Sequence, residues 1–480
     1  MRSTCTMAMV AAAVIAAGAR AGAAVVPAPG FLVRTFPTPD TVQGGVVRQG
    51  NALIVGQGTF GSGGERIVRL EGGIATTIAT GFSSLGGFDL DGTTLYVLDN
   101  CFGADFGCGS PTTGDTLYAI ANATTRSTAA TAAASEVVPS GTFATSFDVL
   151  VVPGAVLVSD AVGVGSGRIA KVVGTTVTNL VTGLDFVGGL ATDGSTLFVA
   201  NVDGSFVGSV RKYTLAGASL GPPLITGLSG AYGLARDEGG KVLVTGGFTG
   251  DFSSSTIEAV DSGGTKTERA HGFGFSSDIF FDAPRGAALV LDFGVDEVTA
   301  ICADTDGDAV CDADCLAPAP MVGPKLKIGR QLTPPGDDTL SFKGQMTIPV
   351  SPTLDPVTNG ATLIVDDASG RVIMDVVVPS GAYDPVTRTG WSVTGGGVTF
   401  TYRNPAGLAG ITKVKVKRIT ATPGLVQFTV KGRRGGYVTN GVVLPLRAVL
   451  ALGAAGQGGL ATLTGSACTQ LGGGNVLNCK

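Results

Sequence analysis

Six times between Gly45 and Asp292 the chain repeats one pattern: a Gly or Asp opening an apolar strand, a polar turn, then a second apolar strand. The copies begin Gly45-Val46, Gly87-Phe88, Asp148-Val149, Gly189-Leu190, Gly233-Leu234 and Asp278-Ile279, and their second strands begin at Leu53, Leu95, Val156, Leu197, Val242 and Leu289. Second strands recur every 41 to 47 residues, except for one gap of 61 that marks an insertion. A period in that range, built of short strands without helical spacing, predicts a β-propeller with one blade per repeat. Such a period fixes an architecture. It does not fix a reaction.

Each repeat continues into a third strand, as at Arg66-Ile67-Val68, and a fourth, as at Val177-Thr178-Asn179-Leu180. The sixth runs into Cys302 without a fourth. Phe31 to Phe36, stranded ahead of the first repeat, is expected to supply it and close the ring, leaving no sheet edge open.

This spacing, with the Gly-Leu-Ala-x-Asp phrasing at Gly189–Asp193 and Gly233–Asp237, resembles the NHL-repeat and gluconolactonase/regucalcin-like six-bladed propellers over residues 31–302. The resemblance implies a ligand site at one mouth of the channel. In gluconolactonase-like enzymes a first-blade Glu, with Asn and Asp from later blades, holds a metal. Here Gly45 stands in that first-blade region and Asn201 is a partial equivalent.

Propeller topology brings the start of each first strand and the end of each second strand to the same mouth. Asp148 and Asp278 occupy strand starts in repeats three and six, on opposite sides of a six-fold ring. Asp99, Asn100, Asp160, Asn201 and Asp292 occupy strand ends. Carboxylates converging there repel one another unless a cation or hydrogen-bonding ligand intervenes, which suits a Ca²⁺-type or polyol site. The same acids also read as caps of their own β-turns. His271 is the only histidine; it aligns with Thr80, Thr182 and Thr226 at blade junctions and has no nucleophile elbow near it, so triad and zinc chemistry are not expected.

Asp304, Asp306, Asp308, Asp312 and Asp314 form a second acidic cluster just past the last repeat. The run resembles a thrombospondin type 3 or EF-hand-type calcium loop, with Ala309 in place of the usual Gly and Cys315 where a final acid belongs. Structural Ca²⁺ is the expected cofactor.

Arg2 followed by the apolar run Met7–Ala19 and small residues predicts a secretory signal peptide over residues 1–23. No later run is long enough to span a membrane as a helix, so the mature chain is expected to be secreted, periplasmic or at the cell surface. Cysteine spacing fits that compartment, with Cys101–Cys108 and Cys468–Cys479 the expected disulfides; Cys302, Cys311 and Cys315 leave one thiol over.

Residues 324–480 carry 16 Lys+Arg against 7 Asp and no Glu; from chain totals of 32 and 37, that leaves 16 basic and 30 acidic residues before Pro324. The expected organisation is therefore all-β: a six-bladed propeller over 31–302, an acidic hinge and Ala/Pro linker over 303–323, and a basic antiparallel β-sandwich over 324–480. Lys413, Lys415 and Lys417 alternate with Val414 and Val416, which puts the lysines on one face; Lys431, Arg433 and Arg434 extend it. An envelope or extracellular protein or an anionic glycan suits such a face, although a solvated strand that discourages aggregation has the same pattern. Nucleic acid is not expected. The functional expectation is an exported binding or scaffolding protein, with a divalent-metal-dependent gluconolactonase-like hydrolase or lyase as the alternative.

Overall fold

The computed structural model describes residues 24–480 apart from 60–62, 102–111, 247–254, 294, 333–335 and 454–455. The expected signal peptide and Cys108 lie outside the described residues. The described residues form two compact units, one within 24–33, 37–69 and 75–302, the other within 34–36, 70–74 and 303–480.

Six antiparallel sheets follow the six repeats. Their first strands are Val42–Gln49, Leu85–Asp91, Ser146–Val152, Phe186–Thr192, Leu234–Arg236 and Ser276–Asp282. Each packs against the next, and the sixth packs against the first, so the ring closes. The strand Phe31–Pro37 lies beside Glu297–Ala303 as the outermost strand of the sixth sheet, the closure that the repeat pattern predicts. Second strands such as Ala52–Gln57 and Ala287–Asp292 are buried along their whole length. They lie between blades that cover both faces, which is why they read as unbroken apolar runs rather than alternating ones.

Glycine opens four of the six first strands because the neighbouring blade occupies the space a side chain would need. A Cβ on Gly45 would sit 2.5 Å from the Phe88 nitrogen, and one on Gly189 would sit 2.3 Å from the Leu234 nitrogen. The second blade departs from the pattern. It has three strands, and Ala130–Thr131, beyond its third strand, pairs in parallel with Ala79 and Thr80 of the first blade.

In the second unit a five-stranded and an eight-stranded sheet enclose one apolar core that includes Trp391, Phe342 and Phe428. The Phe342 and Phe428 rings stand 4.9 Å apart. Val414 and Val416 are fully buried, as the alternation with lysine predicts. The stretch 316–324, read from sequence as a linker, is built into this unit: Ala319–Pro320 pairs in parallel with Gly459 and Leu460, and Val322–Gly329 is a strand of the larger sheet. Proline gave the misleading signal, since Pro320 ends an edge strand and Pro324 stands at a register shift, both places that tolerate a missing N–H.

Cys468 is bonded to Cys479; Cys101, Cys302 and Cys311 are also disulfide-bonded, and Cys315 is the free, buried thiol. No helix among the described residues is long and apolar enough to cross a membrane.

Candidate ligand site in the propeller channel

The acids named from sequence separate into two sets with different surroundings. The strand-end set points back into its own blade. Asp99 accepts the Ser83 and Ser84 N–H groups, each at 2.9 Å, and Asp160 accepts those of Ala144 and Thr145 at 3.0 Å. Asp292 accepts the Gly274 and Phe275 N–H groups at 2.9 and 2.7 Å, and the Asn201 side-chain oxygen accepts the Asp185 N–H at 2.9 Å. Asp160 is also paired with Arg168 at 2.8 Å. Each of these residues clamps the loop that leads into its own first strand, satisfying N–H groups that would otherwise be buried without partners. The Asn100 side-chain oxygen accepts a hydrogen bond from Ser146 Oγ at 3.0 Å, a tie to the next blade.

The strand-start acids face the channel instead. Asp148 and Asp278 line a cavity of about 200 Å³ on the propeller axis, joined by Asp89. Each bridges two blades in the same way. Asp148 accepts the N–H of Val149 on its own strand and that of Leu190 on the next, at 2.8 and 2.7 Å. Asp278 accepts the Val46 N–H across the ring closure at 2.9 Å. Asp89 accepts Leu90 on its own strand and Val151 on the next, at 2.8 and 2.6 Å. Gly87 makes room for this contact, since a Cβ there would lie 2.1 Å from Asp148 Oδ1.

Asp89 was not singled out from sequence. It stands two residues along its strand from Gly87, the position equivalent to Asp148, so the period-2 alternation of a strand turns it to the same face one pleat further down. That offset was the available signal.

Burial raises the pKa of all three carboxyls. Asp89 is pushed up to about 6 and Asp278 to about 7, in each case chiefly by desolvation and partly offset by the backbone N–H donors. Asp148 is raised well above the usual carboxylate range by burial and then by the facing Asp278. All three acids line that one cavity.

A chain of aromatic rings, outside the lining of that cavity, also joins the blades. Phe147 precedes Asp148, and Tyr232 precedes Gly233; their ring centroids are 6.4 Å apart. Tyr232 meets Phe275 edge-on at 5.3 Å, and Phe275 meets Phe293 at 6.5 Å. The ring residues are half-buried and come from blades three, five and six. Their contribution was invisible in sequence, because Phe147, Tyr232 and Phe275 belong to three repeats and only ring closure brings them together. His271 is elsewhere, exposed on an outer strand and 2.7 Å from Glu268.

The acidic turn past the last blade lies in the second unit. Ligand atoms of Asp304, Asp306 and Asp312 fall within 4.8 Å of one another, the only such metal-capable group among the described residues. Asp308 Oδ2 is buried without a hydrogen-bond partner, and burial followed by the neighbouring acids raises the Asp308 pKa to about 6. Asp314 is turned to Arg34 at 2.9 Å and so does not join the group. Ala309, in the place of the usual glycine, takes a left-handed φ of 64°.

No protein-family model and no curated protein matches the sequence. Solved structures that resemble the chain are propellers. A gluconolactonase from Xanthomonas campestris is 15% identical over 59% of this chain and 98% of its own, with a TM-score of 0.43. The calcium-binding protein regucalcin from Agrobacterium tumefaciens is 15% identical over 59% and 94%, with a TM-score of 0.41. A PQQ-bound aldose sugar dehydrogenase from Streptomyces coelicolor is 13% identical over 57% and 99%, with a TM-score of 0.40. Similarity at this level accompanies unlike chemistries.

Proposed function

We propose that this protein is an exported propeller that binds a small polyhydroxylated ligand in its channel, with a calcium ion held in the acidic turn as a structural element. The observation that carries the reading is the meeting of Asp89, Asp148 and Asp278, from three blades, around one axial cavity. Carboxyl oxygens with raised pKa values offer both acceptors and, when protonated, donors to hydroxyl groups. The half-buried Phe280 and Phe281, which line the same cavity, supply the apolar surface that a sugar ring packs on. The disulfides support export to an oxidising compartment. Calorimetric titration of the full chain with gluconate, sorbitol and glucose tests the reading. Binding is expected for at least one of them and is expected to be lost in Asp148→Asn/Asp278→Asn. Equal binding by that variant would refute it.

A second reading, hydrolysis of a sugar lactone, is favoured by one observation. A carboxyl with a pKa of about 7, as at Asp278, can accept a proton from water near neutral pH. The metal-dependent form of that chemistry fits the channel poorly. The buried first-blade Glu65 is turned to the Leu85 N–H at 2.6 Å, and the channel acids do not form a metal-capable group among the described residues. Turnover of gluconolactone that disappears in Asp278→Asn would establish this second reading.

A further inference from the structure

In the eight-stranded sheet of the second unit, five adjacent strands carry a cross-strand row of Arg403, Lys413, Lys431, Ser341 and Lys327, each in register with the next. One pleat away, Lys415, Thr429, Lys343 and Lys325 form a parallel row, also in register. Lys417 lies two residues beyond Lys415 on the same face. Seven of these eight cations are exposed and Lys413 is half-exposed. None is in an ion pair among the described residues, and the rows contain no acidic, aromatic or aliphatic side chain. At about 4.8 Å per strand the first row is about 19 Å long.

Two features separate this surface from an ordinary solvated strand. Like charges stand directly opposite at Arg403–Lys413, Lys413–Lys431 and Lys325–Lys343, an arrangement that destabilises a sheet. The strands bearing them, Val322–Gly329, Asp338–Thr347, Thr399–Leu408, Ile411–Arg418 and Leu425–Gly435, are all internal to the sheet. Charges that guard against edge-to-edge pairing belong on edge strands. Repulsion maintained on strands away from the sheet edges suits a multivalent anion.

We infer that this face docks a linear anionic polysaccharide laid across the strands. Two cross-strand rows of cations complement a polymer with regularly spaced negative charges, and the Ser and Thr hydroxyls between them suit sugar hydroxyls. The absence of aromatic side chains from the rows removes the stacking that single-stranded nucleic acid uses, and the absence of aliphatic ones removes the insertion that an interfacial membrane anchor uses.

The test is retention of the full chain on immobilised polygalacturonate, against neutral dextran and phosphatidylglycerol vesicles, for wild type and for Lys343→Gln/Lys413→Gln/Lys415→Gln/Lys431→Gln. Salt-sensitive binding to polygalacturonate is expected, weakened at least about tenfold in the variant with no fall in Tm, since the substitutions relieve repulsion. Equal retention of wild type and variant would overturn the inference. So would equal retention on dextran, binding to vesicles alone, or salt-sensitive self-association without glycan binding. If the variant melts lower, Lys343→Arg/Lys413→Arg/Lys415→Arg/Lys431→Arg is compared instead: restored retention supports the charge reading, and lost retention contradicts it.

Discussion

The propeller channel and the basic face of the sandwich are both built of charged residues in β-strands, yet they use charge in opposite ways. In the channel Asp148 and Asp278 are buried and Asp89 is half-buried, and their oxygens accept backbone N–H groups of neighbouring blades. Burial there shifts pKa values and ties the ring together. On the sandwich the lysines face water and have no acidic partners among the described residues. The side chain's setting, more than its formal charge, decides whether it serves the fold or a partner.

The comparison breaks most sharply at Asp148. Replacing it with Ala leaves the Val149 and Leu190 N–H groups without acceptors, at a cost of about 3 kcal/mol by denaturant unfolding, and Asn, with one acceptor oxygen for the two donors, recovers only part of that. A loss as small as that of a surface lysine would place Asp148 among the solvated charges. Calcium gives the next largest effect. A site in the acidic turn filled at a hundredfold its Kd contributes about 2.7 kcal/mol. Chelation is then expected to open the chain to protease near Asp304, and an unchanged digest would exclude a structural ion there.

Acid pH sharpens the contrast further. Asp278 titrates at about 7 when folded against 3.8 as its reference. Between those values the folded state holds a proton the unfolded chain has lost. Stability from this group is therefore complete below about pH 4 and lost as the pH rises through 7. Asp89 and Asp99, both at about 6, act in the same direction. The propeller is expected to melt higher at pH 5 than at pH 8, and Asp278→Asn to flatten that slope by on the order of 2 kcal/mol. The smallest effect belongs to the sandwich. Lys343→Gln should leave stability unchanged or raise it by a few tenths of a kcal/mol, measured as the shift in denaturant midpoint.

Much of the architecture was legible because its signals are local. The Gly/Asp-to-strand repeat gives six blades, and the orphan strand at Phe31 gives the closure. The site was less legible for a physical reason. Asp99 and Asp148 look alike in sequence, both acids at one end of an inner strand, but one sits against its own loop and the other against the next blade. Asp89 needed the strand's two-residue period to be counted from Gly87. The rows on the sandwich depend on cross-strand register, as when Lys325 meets Lys343 and Lys343 meets Thr429, and long-range register leaves no trace in local pattern.

The account depends most on a ligand lying among acids contributed by three blades. A crystal structure of the full chain, soaked with the polyol that binds in calorimetry, tests this directly. The prediction is ligand density on the propeller axis, with hydroxyls within hydrogen-bond distance of Asp148 and Asp278. An empty channel with the ligand bound elsewhere would contradict it.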